Sequence, residues 1–464
     1  MVLPRNSNKT VLFNIMSTVV LQGMAFFTTP LFSRLLGTDG YGLVSVYTTW
    51  VSLMAVLITF EPQATLIMAQ KEYPEQEQKK YQSSILFLSA CVFAVCCVLL
   101  LAFIDPICRM IQLPKAAVIM VLLQSFGTAC VSFLSTRFSY EFHAERNAVI
   151  AIALAVANVA LSVLLIYTLP GEDYMSRIYG IGSVYALAAG AICIYTWKRG
   201  KTFFNCGYWK FAAGLTVPMI FHGLSNLVMG HSDRLMLQWQ VSNEAVGIYN
   251  LAFVFASVMI SIWNALSNSW TPFFYADLRR GDYKTLNTRT TNYLELYTVL
   301  SVGFMLLSRE VFRIFAPAEF WSGEDLIVVL TAANFFTFLY SLPLNYELYH
   351  KKTKAVASGT VITAVVNVGL NYVFIFYMGA LGAAISTALA TGLKFIFHYT
   401  YAKRIRADSK YPFSIRMFAP FMLAFAAAAA ASVFLRGLWW LRWLLAFAAG
   451  GWELLQIVRR KVIF

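Results

Sequence analysis

The sequence predicts an all-α polytopic membrane protein that crosses a bilayer about fourteen times. Three observations predict it. The chain is 59% hydrophobic and 12% charged, with mean hydropathy +0.65, whereas soluble domains carry roughly 25% charged residues. Its apolar residues gather into runs about as long as a spanning helix, which needs ~20 residues. Its basic residues fall mainly in every second gap between those runs.

Taken in order, the runs predict helices near 11–33, 41–60, 83–104, 113–137, 147–169 and 179–198. Arg5 and Lys9 precede the first. The stretch from Val11 to Phe32 exceeds the 7–15 apolar residues of a signal peptide and lacks an Ala-x-Ala-like cleavage site, so it reads as a membrane helix. Glu61-Pro62 closes the second run, and Trp197-Lys198-Arg199 closes the sixth. A second series follows near 211–231, 244–265, 290–315, 325–346, 356–378 and 380–401, then two runs near 415–435 and 438–458. Pro30 and Pro218 are expected to kink or break their helices. The gaps are too short for a sizeable soluble domain. The seven cysteines fall mostly in apolar runs without Cys-x-x-Cys spacing, which predicts small core hydrophobes and no disulfide framework or zinc site.

Charge sets the expected orientation. Of the 36 Lys and Arg residues, 26 lie at the two ends and in alternate gaps; nine lie on the other side, and Lys394 falls inside a run. The positive-inside bias therefore puts both termini in the cytoplasm. It also accounts for the net charge of +14 without nucleic acid as a partner, because the charge is spread over short loops facing anionic lipid.

The chain repeats itself. Ser33-Arg34-Leu35 closes the first run and Asp233-Arg234-Leu235 the seventh, 200 residues later. Tyr41-Gly42 opens the second and Val246-Gly247-Ile248-Tyr249 the eighth. Further matches keep the same order: Tyr140-Glu141 with Tyr346-Glu347, Asn158-Val159 with Asn367-Val368, and Tyr179-Gly180 with Met378-Gly379. Six spans is an even number, so both blocks enter from one side and the repeat is parallel. The expected organisation is two six-helix lobes, 1–200 and 201–405, in parallel pseudo-twofold repeat. Two C-terminal helices follow in 406–464. That architecture serves alternating access to a site between bundles.

Polar residues recur at helical spacing within the runs: Asn14, Thr18 and Gln22; His222, Asn226 and Asp233; Thr360, Thr363, Asn367 and Asn371; Thr387, Thr391, Lys394 and His398. Such faces turn toward other helices or a wet cavity, because polar groups in hydrocarbon are costly. Lys394 is the sharpest of them. It reads as the partner of an anion, or as a stem that snorkels to the headgroups. His222 titrates near neutral pH or is a core histidine. Arg34 and Arg234 guide an anionic group or lock helix ends. Glu61 is a weak candidate for ion coupling and, more simply, part of a helix-ending turn.

Phe32-Ser33-Arg34-Leu35-Leu36-Gly37 with Tyr41-Gly42 resembles the first-hairpin hallmark of polysaccharide flippases. Asp233-Arg234 with Val246-Gly247-Ile248-Tyr249, and Gly379-Ala380-Leu381-Gly382-Ala383-Ala384, resemble that family's later signatures. The family lies in the multidrug/oligosaccharidyl-lipid/polysaccharide exporter superfamily. The resemblance implies a V of two six-helix lobes. It implies that an undecaprenyl-pyrophosphate-linked oligosaccharide is carried to the outer leaflet of the bacterial cytoplasmic membrane through a hydrated cationic cleft. Lys394, Arg34, Arg234, Asn226, Gln22 and Asn367 are the implied substrate contacts. A glycan polymerase and chain-length proteins are implied partners, and membrane lipids surround the protein. Coupling to H+ or Na+ is suggested, with His222 and Glu61 as candidates and no other cofactor. Phe60-Glu61-Pro62-Gln63 departs from the family, whose members usually carry a small or glycine-containing turn there.

Two flippase-fold rivals remain, a lipid II flippase and a cation-coupled multidrug antiporter. The latter fits less well, since Val11–Phe32 holds no Asp or Glu. A membrane polymerase or ligase needs a reaction centre, commonly on a large outer loop. Here the outer loops are short and no catalytic motif stands out, which predicts a non-enzyme.

Overall fold

The computed structural model describes residues 7–141, 143–405 and 411–460. The side chains of 7–27, of Ala144 and of seven positions between 218 and 229 lie outside that description. Among the described residues there are fifteen α-helices and no strand. They are α1 (Ser7–Leu57), α2 (Leu66–Glu72), α3 (Glu75–Ala102), α4 (Ile104–Ile111) and α5 (Lys115–Tyr140). Then come α6 (Ala144–Thr168), α7 (Asp173–Gly200), α8 (Cys206–Gln240), α9 (Asn243–Ala256) and α10 (Val258–Arg280). The last five are α11 (Tyr283–Phe315), α12 (Glu324–Tyr349), α13 (Thr353–Arg404), α14 (Ile415–Phe434) and α15 (Trp439–Arg460).

Among the described residues, ten helical stretches are long and apolar enough to cross a membrane. Two helices are interrupted by a single non-helical residue. In α1 the helix turns at Gly37 (φ 66°, ψ −179°), and in α13 at Gly379 (φ 56°, ψ −132°). Positive φ costs a side-chain-bearing residue roughly 1–2 kcal/mol and glycine almost nothing. Each glycine therefore sits where one spanning arm hands over to the next. The runs expected at 11–33 and 41–60 share one continuous helical trace with a single-residue break, as do those at 356–378 and 380–401.

The expected break at Pro30 does not occur. α1 runs through it, and its non-helical residue is Gly37, seven positions later. α8 likewise continues through Pro218. Proline removes one hydrogen bond, and the remaining backbone bonds carry the helix through it. Helices also outrun their apolar cores. The gap expected at 266–290 shrinks to Gly281-Asp282, because α10 and α11 extend through their polar ends. Asp282 caps α11 by accepting from the Thr285 N–H at 3.1 Å.

The chain forms two compact units, Met1–His231 and Ser232–Phe464, and the division falls inside α8. In the first unit, Tyr81, Phe133, Phe138, Cys193 and Tyr208 lie in one buried cluster. The core of the second is strongly aromatic: Trp270 stacks on Phe274 and Tyr293, each at 4.9 Å, and Tyr297 packs on Phe338. α14 and α15 pack on α11. Fully buried Arg442 of α15 pairs with Glu310 of α11, and Arg460 reaches Glu295 at 2.6 Å. Near Glu310, at the C-terminal end of α11, Arg313 grips Glu324 with two bonds of 2.7 and 3.0 Å, and Arg309 joins them.

Candidate substrate site

Two polar clusters lie inside the second unit. The first is built where α8, α9 and both arms of α13 meet. Asp233 is 3% exposed and Arg234 5%. One Asp233 oxygen accepts from the Arg234 backbone N–H at 2.9 Å, and the other from the Tyr249 hydroxyl. The Arg234 Nε donates to Asn250 at 2.9 Å, and its guanidinium lies 4.4 Å above the Phe253 ring. Ser232 contacts Asn367 Oδ1 at 3.5 Å, and Asn371 donates to the same oxygen at 3.3 Å. Asn371 Oδ1 is buried without a partner. The pattern follows from α-helical spacing: Asn367 and Asn371 are one turn apart and share a face.

The second cluster lies along α12 and the second arm of α13. Lys394 is 6% exposed, and its ammonium sits 4.3 Å from the Tyr340 ring centroid. Among the described residues no carboxylate lies within ion-pair distance of it. One turn along, His398 Nδ1 is 3.0 Å from both oxygens of Glu347, and neither side chain is exposed at all. Tyr340 stacks on the His398 ring at 5.7 Å, so one aromatic ring touches both the lysine and the histidine.

In the first unit, Arg177 donates to Asn158 Oδ1 at 2.8 Å and to Ser162 at 2.7 Å, and lies 3.6 Å above Phe32. The matched places of the repeat thus face each other in both units. Phe32 reaches Asn158 through Arg177, and Ser232, 200 residues on, reaches Asn367 directly.

The expected site residues are distributed as follows. Arg234 and Asn367 fall in the first cluster and Lys394 in the second. Arg34 is exposed on α1. Glu61 lies just past α1, in a left-handed conformation (φ 39°) shared with Phe60 (φ 59°), and its carboxylate approaches Gly223 of α8. The side chains of Gln22, His222 and Asn226 lie outside the described residues. Glu347, Tyr340, Tyr249 and Arg177 were missed. Glu347 is instructive: the apolar run ends at 346, which predicts a loop there, whereas α12 continues to Tyr349. An acid one residue past an apolar run was the available signal.

Each unit also carries a cavity. In the first, about 600 Å3 is lined by Lys79, Gln82, Tyr140, Glu141, His143 and Arg199. In the second, about 790 Å3 is lined by Tyr283, Asn287, Tyr399, Lys403, Tyr411 and Arg416. Burial first, then Tyr399 and the Glu347 carboxylate, push the Tyr411 phenol well above its ordinary value, so it stays protonated.

The family model for polysaccharide biosynthesis proteins matches residues 7–276, more than half of the chain. An uncharacterized membrane protein of Haemophilus influenzae is 21% identical over 373 residues, covering 78% of this chain and 86% of the relative. A Haloferax volcanii protein named "Probable low-salt glycan biosynthesis flippase Agl15" is 21% identical over 414 residues, covering 86% and 83%. The fold is shared with the lipid II flippase MurJ in an inward closed conformation: TM-score 0.70, 14% identity, 96% of this chain and 100% of that one. It is also shared with an inward-facing multidrug transporter of the MATE family: TM-score 0.58, 16% identity, 82% and 93%. With a match over residues 7–276 that spans the motifs at 32–42 and 233–249, the chain belongs to the polysaccharide biosynthesis protein family.

Proposed function

We propose that the protein is a flippase with fourteen membrane crossings. It turns an undecaprenyl-pyrophosphate-linked oligosaccharide from the inner to the outer leaflet of a bacterial cytoplasmic membrane, by alternating access. No bond is made or broken. Lys394 is the observation that carries this reading. A charge at that depth costs about 2.5–3.5 kcal/mol on insertion scales. The Tyr340 face returns about 0.5–2 kcal/mol. Among the described residues no carboxylate at ion-pair distance closes the shortfall, and a pyrophosphate headgroup would supply an anion there while its polyprenyl tail stays in lipid. Family membership and the name of the archaeal relative support the glycan as cargo.

The antiporter reading is weaker because Asp233, the buried acid of the first cluster, is held by Tyr249 and the Arg234 backbone. A lipid II cargo would show itself as a requirement for peptidoglycan synthesis. The deciding experiment is a leaflet-access assay in a strain lacking this protein and any redundant flippase. Lipid-linked glycan should accumulate in the inner leaflet and reach the outer one when the gene is restored. Normal appearance in the outer leaflet without the protein would reject the reading.

A further inference from the structure

We propose that Glu347 and His398 form a proton-binding site, reached from the 790 Å3 cavity of the second unit, whose occupancy sets how strongly Lys394 holds an anion. The anion half rests on the reading of Lys394 given above; the proton half does not.

The pair is not a finished structural clamp. Both side chains are fully buried, and the Glu347 carboxylate takes Nδ1 of His398 at 3.0 Å. A buried imidazole used only for structure normally has its second nitrogen satisfied too. Here Nε2 has no hydrogen-bond partner. It faces the bare backbone of Gly359, where a Cβ would lie 2.9 Å away. The glycine keeps that nitrogen uncrowded, and it remains a second place for a proton.

The cavity wall comes near the pair through Tyr411. Tyr411 lines the cavity, and its hydroxyl is buried without a partner. Its ring packs edge-on against Tyr346, the neighbour of Glu347, at 5.1 Å. The Glu347 carboxylate acts on the Tyr411 phenol. Beyond the pair, Tyr340 lies against His398 and beneath the Lys394 ammonium. The titratable groups around the pair are therefore Tyr340, Tyr346 and His350 from α12, Lys394 and Tyr399 from α13, and Tyr411.

The step is a simple protonation: one H+ from cavity water adds to the pair, and its charge rises by one. With Glu347 ionised and His398 neutral, the pair is a counter-charge for Lys394. With one more proton it is neutral, and the Lys394 charge is unopposed and free to take phosphate oxygens. Anion affinity therefore rises as pH falls through the titration of the pair, and anion binding in turn favours protonation. Residues 394 and 398 are one helical turn apart. At that separation, screening between that of a protein surface and that of water gives an effect on the order of tenfold.

Two measurements on the purified full-length protein test this. Infrared difference spectra on acidification should show, in the wild type, a new carboxyl band or a shifted carboxylate band that is missing in Glu347→Gln, with an imidazolium band, missing in His398→Gln, where the proton settles on the ring. Identical spectra would overturn the proton site, whatever transport shows. Calorimetry with inorganic pyrophosphate at about pH 6 and about pH 8 tests the linkage. The wild type should bind on the order of tenfold tighter at the lower pH, relative to the same ratio in Glu347→Gln and His398→Gln, which carries the ligand's own titration. Equal ratios would overturn the linkage. If both variants misfold, the wild type alone decides: in two buffers, pyrophosphate binding should take up more protons than the ligand accounts for, and no excess rejects the proposal. If the wild type binds no pyrophosphate at either pH, the Lys394 reading falls, while the infrared result still decides the proton site.

Discussion

At the scale of residues, the energetics turn on cations and backbone angles inside an apolar medium. Lys394→Gln removes the charge with little change in length. It should slow appearance of lipid-linked glycan in the outer leaflet at least roughly tenfold while expression and folding are retained, and Lys394→Arg should recover part of the rate, since either cation pairs with phosphate. A normal rate in Lys394→Gln would remove this residue from the site. Glu61 offers a backbone test. It lies at φ 39°, so Glu61→Gly should be more stable than Glu61→Ala by about 1 kcal/mol, read as a higher melting temperature. Both variants lose the carboxylate, so their difference reports strain alone. The departure of Phe60-Glu61 from a glycine-containing turn was legible in the sequence. Two successive residues with positive φ are its physical meaning, and that needed coordinates.

At the scale of elements, helices are held to one another by few but costly pairs. Arg442 is fully buried and carries α15 onto α11 through Glu310, the Leu306 carbonyl and a neighbouring Trp443–Glu310 bond. Arg442→Ala leaves Glu310 without that partner and should cost about 3 kcal/mol, seen as early protease cleavage in the 435–438 turn and a lower melting temperature. Glu310→Gln should restore part of the loss by removing the stranded charge. Gly379 belongs to this scale as well. Gly379→Ala should cost about 1 kcal/mol through its positive φ, whereas Gly369→Ala, in open space within the same helix, should not destabilise. Apolar periodicity located these elements well because bilayer thickness sets their length. It placed their ends poorly: polar residues continue a helix beyond the hydrocarbon without leaving a hydropathy signal.

At the scale of the whole molecule, the charge distribution makes a topological prediction. Cys206 is exposed at the start of α8, in a stretch rich in Lys and Arg. An impermeant maleimide should label it in inverted vesicles and not in intact spheroplasts. Cysteines introduced at 171 or 322 should show the reverse. Labelling of Cys206 from outside would overturn the orientation. The family and fold were both legible at this scale, because the repeat and its signatures at 32–42, 233–249 and 379–384 recur in order along the chain.

The sequence alone determined that the chain is a helical membrane protein with the motifs of its family, with basic residues gathered in alternate gaps and one lysine inside an apolar run. Those properties are one-dimensional: a bilayer reads the length of an apolar run and the sign of the loops beside it. It did not determine which polar residues meet. His398 stood in a stripe with Lys394, and Glu347 lay 51 residues away, outside the run assigned to its helix. Only the packing of α12 on the second arm of α13 brought them to 3.0 Å, with Tyr340 between histidine and lysine. Partners in a helical membrane protein are chosen by which faces pack, and that choice is made in three dimensions.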